Sequence, residues 1–317
     1  MVEAITDPVE LITLLELPAE FIPAAQHAAR LFGLRVPRSF VARMEKGNAA
    51  DPLLRQVLPL GEELETKIGF STDPVGDTKS MVAPGVLHKY QGRVLLVTTG
   101  ACAVHCRYCF RRHYPYGDAH AGQRHWQQAV EHIAGDASIH EVILSGGDPL
   151  TLSDDKLGAI IGDINSISHV LRLRIHTRVP VTIPARITQT LLHALRASRL
   201  KKIVVLHINH PREIDGDVRT MCHRLLESGA LLLNQSVLLR GVNDCEDILA
   251  ELSDALFAAG ILPYYLHQLD RVVGASHFLV DEGNAKTLHE KLMARLPGYL
   301  VPRLVREDAG APSKTPI

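Results

Sequence analysis

Seven short apolar runs begin at residues 94, 142, 171, 203, 231, 262 and 300, and most segments between them carry apolar residues at helical spacing. Runs rich in Val, Ile and Leu and bounded by polar or glycine residues read as buried strands. A strand, a helix and the next strand recurring every ~30 residues leave little choice of architecture, because parallel neighbours need a crossover that returns the chain to the same end of the sheet. An α/β fold with a parallel sheet is therefore expected from residue 88 onward.

The first part reads differently. VELITLLELPAEF and RSFVARM place apolar residues at helical spacing, interrupted by Pro or Gly, up to about Leu60; the stretch from there to Leu87 is rich in Gly and Pro and reads as loop. The chain thus divides into a helical extension with its loop, residues 1–87, and a core, residues 88–317. With 46% hydrophobic residues in 317, a substantial core can be buried. Thirty-four Lys and Arg against 35 Asp and Glu give a net charge of −1, so neither a nucleic-acid nor a membrane partner is indicated. The start carries Asp7, Glu10 and Glu16 where a secretory signal needs basic residues, and no apolar run approaches spanning length. A cytoplasmic protein is expected, and five cysteines in so long a chain make no disulfide framework.

The segments at the strand ends read TTGACAVHC, SGGDP, HTRVP, HINHP, NQSVL, HQLD and REDAGAPSK. In a (β/α) barrel the active site is built at these C-terminal strand ends. Wet loops also end strands in ordinary proteins, but histidines, carboxylates and glycines recur here from one end to the next.

Cys102, Cys106 and Cys109 stand at C-x-x-x-C-x-x-C spacing directly after RVLLVTT. Three thiolates can hold a four-iron cluster and leave one iron open, where an electron-transfer cluster takes four. A zinc site completed by His105 or His113, or three buried thiols, would use the same residues. Cys222 and Cys245 read as core or loop thiols. The triplet, with Tyr108 before its last cysteine, resembles the motif of the radical SAM superfamily. LHKY, RVLLVTTGACAVHCRYCFRR, VILSGGDPL, RITQTLLHAL, NHPREI, NQSVLLRGVNDC, PYY, GY and SKTP occur in that order, and on these the chain is similar to the lysine 2,3-aminomutase family over nearly all of residues 80–317.

That resemblance implies a partial (β/α)6 TIM-like barrel and an isomerase using a [4Fe-4S] cluster, S-adenosylmethionine and pyridoxal 5′-phosphate. Cys102, Cys106 and Cys109 would hold the cluster, and Gly146, Gly147 and Asp148 would match the element that binds the methionine amino group. His207 and Gln235 match residues near the adenosyl ribose. Lys314, by composition an ordinary terminal lysine, would form the Schiff base with pyridoxal phosphate. Lys89 (in place of an arginine), Tyr90 and Arg93 match the phosphate-anchoring region. Arg111 would clamp the substrate carboxylate, and Asp270 with Glu307 would receive the ε-ammonium, Asp308 being the neighbouring alternative to Glu307.

The implied reaction takes a hydrogen from Cβ of free (S)-lysine by a 5′-deoxyadenosyl radical and moves the α-nitrogen to Cβ, giving (R)-β-lysine. An external electron donor is required. CRYCFRRHYPY, RVPRSFVARM and the short length resemble the branch that supplies β-lysine to the ligase modifying elongation factor P (EF-P). The chain ends at KTPI, without the tail that supplies zinc-binding cysteines in the catabolic branch, so no zinc is expected. Two rivals stay open: a related aminomutase acting on another amino acid, and a non-catalytic iron–sulfur or zinc protein.

Overall fold

The computed structural model describes residues 4–117 and 125–317, so the first three residues of the expected extension lie outside it. Strands β1 (Ala4–Ile5) and β2 (Val36–Pro37) pair antiparallel. Between and after them run helices Pro8–Leu14, Phe21–Leu31, Arg38–Val41 and Pro52–Arg55. The first starts where Asp7 accepts the Val9 N–H at 2.9 Å and Pro8 fits the first helical position. Leu11, Ile12, Phe40, Val41, Leu53, Leu54 and Val57 close this layer into its own apolar cluster, which also includes Val104 of the cysteine segment. The extension therefore packs onto the first strand-end loop.

The main sheet runs in chain order through β3 (Met81–Ala83), β4 (Val86–Tyr90), β5 (Arg93–Thr99), β6 (Glu141–Gly146), β7 (Arg172–Thr177), β8 (Lys201–Leu206), β9 (Ala230–Val237), β10 (Leu262–His267), β11 (Arg303–Arg306) and β12 (Thr315–Pro316). Among the described residues, β5 to β11 are seven parallel strands, so the expected six are followed by a short seventh; β3, β4 and β12 add antiparallel edges. The stretch to Leu87 read as loop contains β3 and the start of β4. Its Pro84-Gly85 pair is a hairpin turn, with Gly85 at φ 74°.

Helices 126–135, 154–166, 189–197, 216–227, 246–258 and 282–295 cross between the parallel strands. Four begin on Ser153, Thr188, Asp215 and Asp281, whose side chains each accept a backbone N–H three residues on. Leu96, Leu144, Ile175, Val204 and Leu232 belong with the helix residues Ile133, Ile161, Leu192 and Leu225 to one buried cluster. Burying each large aliphatic side chain is worth about 1.5–3 kcal/mol, which makes this layer the rigid support for the loops at the strand ends. The sheet's two edge strands do not pair with each other, yet Lys89 of β4 and Glu307 just beyond β11 meet at 2.9 Å. The sheet is thus curved into an open barrel whose ends are joined by an ion pair.

Candidate active site

Strand β5 delivers the chain into the cysteine loop, which turns twice, with Cys109 N–H donating to Cys106 O at 3.0 Å and Arg112 N–H to Cys109 O at 3.2 Å. The N-terminal layer fixes its backbone: His105 N–H donates to Arg35 O at 2.8 Å and Arg107 N–H to Gln56 O at 2.9 Å. Beneath the loop the fully buried Arg107 guanidinium pairs with Glu63 through two bonds, at 2.8 and 2.6 Å. Bidentate geometry and the further bond to Phe32 O at 2.7 Å compensate the buried charges.

Burial pushes the Cys102 and Cys109 thiols up, Cys109 to about 11, and the neighbouring sulfurs raise both further. The three sulfurs therefore face one another, and Arg178 NH1 lies 2.8 Å from Cys106 Sγ. Clustered thiols that burial keeps protonated, beside a fixed cation, are a donor set that a bound metal cluster would deprotonate and neutralise. Among the described residues, no three His, Cys, Asp or Glu side chains meet as ligands of one ion would; on a four-iron cluster each thiolate takes a different iron. The trio fits the cluster.

Gly146 ends β6 and Gly147 follows it, where the chain passes against the start of that loop. A Cβ on Gly147 would stand 2.3 Å from Ala101 O, and one on Gly146, at φ 122°, would stand 2.6 Å from Thr99 O. Only glycine permits this approach. Asp148 then turns inward, and its two carboxylate oxygens accept from Leu150 N–H (3.0 Å), Thr177 Oγ1 (2.7 Å), Arg178 N–H (2.7 Å) and Val179 N–H (3.1 Å). The Asp148 carboxylate thereby ties β6 to β7 and fixes the turn that follows the two glycines.

Across the barrel mouth runs a chain of charges. Arg111 Nε lies 2.6 Å from Asp77 Oδ2, Asp77 Oδ1 is 2.6 Å from Lys89 Nζ, Lys89 Nζ is 2.9 Å from Glu307 Oε1, and Glu307 Oε2 is 2.7 Å from Lys314 Nζ. Burial works against each charge, but the partners win: Lys314 and Lys89 bring Glu307 down to about 2, and Arg111 and Lys89 hold Asp77 below the usual carboxylate range. Lys89 also donates to Val75 O at 2.8 Å. All three of its protons then have protein acceptors, Val75 O, Asp77 and Glu307. Tyr90 and Arg93 stack on each other 4.7 Å apart.

Glu307 faces inward while Asp308, one residue on, lies on the surface and accepts from Arg306 Nε at 3.1 and 3.0 Å. The alternation of a strand end thus separates the two carboxylates. Asp270, after β10, is half-buried, and burial with the nearby Glu307 pushes it up to about 7. Lys314 Nζ lies 5.8 Å from the centre of the Tyr265 ring.

At the other wall Gln235 Nε2 lies 3.1 Å from His207 Nε2, and the His207 and His176 rings meet edge to face at 6.2 Å. Burial brings His207 down to about 3 and holds His176 and His267 well below the usual range, so all three are neutral. The Nε2 atoms of His176 and His267 are buried with no hydrogen-bond partner among the described residues. Unpaired buried nitrogens at these strand ends suit polar ligand atoms. Sequence reading missed Asp77, His176, His267 and Arg178. The last three begin or sit within HTRVP and HQLD, where position at a strand end was their only signal; Asp77 had none.

A family model described as a 4Fe-4S single cluster domain matches residues 90–172, which include the cysteine loop. L-lysine 2,3-aminomutase of Escherichia coli (strain K12) is 50% identical over 100% of this chain and 93% of its own length. The enzyme so named from Haemophilus influenzae (strain Rd) is 48% identical over 98% of this chain and 92% of its own. That of Clostridium subterminale is 34% identical over 88% and 67%. With the cysteine trio, the glycine turn and the inward Lys314 all in place, the chain belongs to the lysine 2,3-aminomutase family of radical SAM isomerases.

Proposed function

We propose that this protein converts free (S)-lysine to (R)-β-lysine, using a [4Fe-4S] cluster, S-adenosylmethionine and pyridoxal phosphate. The observation that carries the reading is the order of charges along one wall: the Arg111 guanidinium at the cysteine end, and at the other the Asp270 carboxyl, beside a Glu307 whose two oxygens hold Lys89 and Lys314 and would have to release one of them to take an ammonium. Lysine carries a carboxylate at one end and an ammonium at the other, and so matches that order. Glutamate would set a second carboxylate against Asp270 and Glu307 and be repelled.

When bound, the cluster with S-adenosylmethionine supplies the carbon radical, and pyridoxal phosphate supplies the π-system through which nitrogen moves. The chain's residues bind and orient. Cys102, Cys106 and Cys109 hold the cluster; Gly146, Gly147 and Asp148 shape the methionine-binding turn; His207 and Gln235 face the adenosyl group. Lys314 would tether pyridoxal phosphate, and Lys89, Tyr90 and Arg93 would form the region that anchors its phosphate. Arg111 gives Asp77 its Nε–H and Ser145 Oγ one NH1 hydrogen, and its fork keeps further donors for a carboxylate. Placement within a water-poor chamber is the protein's main contribution, because a primary radical attacks whatever lies nearest.

Residues 1–87 serve as an extension that secures the cysteine loop, and residues 88–317 as the catalytic core. CRYCFRRHYPY and RVPRSFVARM support delivery of the product to the ligase that acts on EF-P. No helix among the described residues is long and apolar enough to cross a membrane. The reading is tested by supplying single amino acids to the anaerobically reconstituted protein with both organic cofactors and dithionite. Lysine is expected to be isomerised and glutamate left unchanged; turnover of glutamate in preference to lysine would overturn it.

A further inference from the structure

Arg178, the residue after β7, is 5% exposed, and its guanidinium is gripped by side chains from separate segments of the chain. NH1 donates to Cys106 Sγ at 2.8 Å and to Tyr108 Oη at 2.8 Å; NH2 donates to Gln56 Oε1 at 2.6 Å and to Glu213 Oε2 at 3.0 Å. Those partners are themselves fixed. Gln56 Nε2 donates to Glu213 Oε1 at 3.1 Å, Asn209 Nδ2 donates to Gln56 Oε1 and Tyr108 Oη at 3.0 and 2.7 Å, and Glu213 Oε1 accepts the Asn209 and His210 N–H groups. Arg178 Nε has no partner among the described residues, but its two terminal nitrogens are held by four side chains, and that arrangement directs an N–H at a cysteine sulfur.

We propose that Arg178 sets the reduction potential of the cluster through its hydrogen bond to Cys106. The oxidised [4Fe-4S]2+ cluster takes one electron from a low-potential donor, dithionite in the test below, and becomes [4Fe-4S]1+. The added charge spreads onto the ligand sulfurs. A donor aimed at one of them stabilises the reduced form more than the oxidised form, raising the potential. Glu213 offsets most of the guanidinium's net charge from the far side, so the directed bond to sulfur, more than the charge, carries the effect. Arg178 does not touch the substrate; it is a tuning residue acting through Cys106. This tuning rests on the cluster of the proposed function and is independent of which amino acid the enzyme isomerises.

The test is a potentiometric titration followed by EPR on reconstituted protein without S-adenosylmethionine. Relative to wild type, R178Q is expected to be about tenfold less readily reduced, a fall of ~59 mV for one electron. R178K, which keeps the charge but loses the fork, should fall in the same direction by less. E213Q, which leaves the bond to sulfur in place, should show no fall. An unchanged midpoint in R178Q at full iron content would overturn the proposal, as would an equal fall in E213Q, which would mark a merely structural role. Should R178Q fail to retain iron, R178K is read by the same criterion. Absence of any cluster signal in wild type would instead refute the cluster assignment, so the two failures are distinct.

Discussion

The Lys314 ammonium stands 2.7 Å from Oε2 of Glu307, a carboxylate whose other oxygen holds Lys89 at 2.9 Å. One residue thus anchors both Lys314, the proposed cofactor-binding lysine, and strand β4 through Lys89. E307Q would leave two cations without their shared anion and is expected to cost about 3 kcal/mol in denaturant unfolding. E307D, too short to span both lysines, should cost about 1 kcal/mol. Because Glu307 is brought from 4.5 to about 2, its stabilising contribution is fully present above pH 4.5 and is lost as pH falls toward 2. In E307Q that portion of the acid dependence should vanish; an unchanged acid profile would contradict the pairing.

Asp270 behaves in the opposite sense. With its carboxyl pushed up to about 7, it is protonated below neutrality in the free enzyme and attracts an ammonium only above it. For lysine, kcat/KM should therefore fall about tenfold per pH unit below 7, chiefly through KM. D270N should have a lower, pH-independent value in this range. A wild-type profile flat from pH 6 to 8 would remove Asp270 from the ammonium site.

The cysteines are expected to divide into ligands and bystanders. C102A, C106A and C109A are each expected to abolish the cluster's visible absorption and all turnover. Cys245 is exposed at the start of helix 246–258, and C245A should leave both near wild type. Loss of iron in C245A would show that the ligand set has been misassigned.

Gly147 offers a test of the turn that supports the site. G147A brings a methyl group within 2.3 Å of the Ala101 carbonyl, a backbone atom that can yield only by moving the cysteine loop. A loss of about 1–3 kcal/mol in stability is expected, together with reduced iron retention, measured by thermal unfolding and iron content. G135A, on a helix end with nothing within 4 Å, serves as control and should change neither.

Much of this fold could be read from the chain alone, for a physical reason. Strands buried on both faces are continuous apolar runs, and runs such as 142–145 and 262–267 fall within or upon β6 and β10. Boundaries moved where polar residues open a strand: β8 begins at Lys201 and Lys202, ahead of the run at 203. The cysteine trio and Lys314 were legible because their spacing and context resemble a known family. Asp77 was not, because its meaning depends on Arg111 and Lys89, and through Lys89 on Glu307, which lies 218 residues farther along the chain. Lys89 and Asp148 were legible as candidate site residues but their protein partners were not, since only packing shows which protons and oxygens are engaged within the chain. Arg178 was visible solely as a polar residue at a strand end, and nothing local foretells its bond to Cys106.

The central claim is that the charge order from Arg111 to Asp270 and Glu307 selects lysine for a radical amino shift. Chiral chromatography of the products formed anaerobically from (S)-lysine by the reconstituted wild-type protein tests it most directly. The account predicts (R)-β-lysine, dependent on S-adenosylmethionine and absent in K314A. Unaltered lysine from a protein carrying its full cluster and pyridoxal phosphate would contradict it.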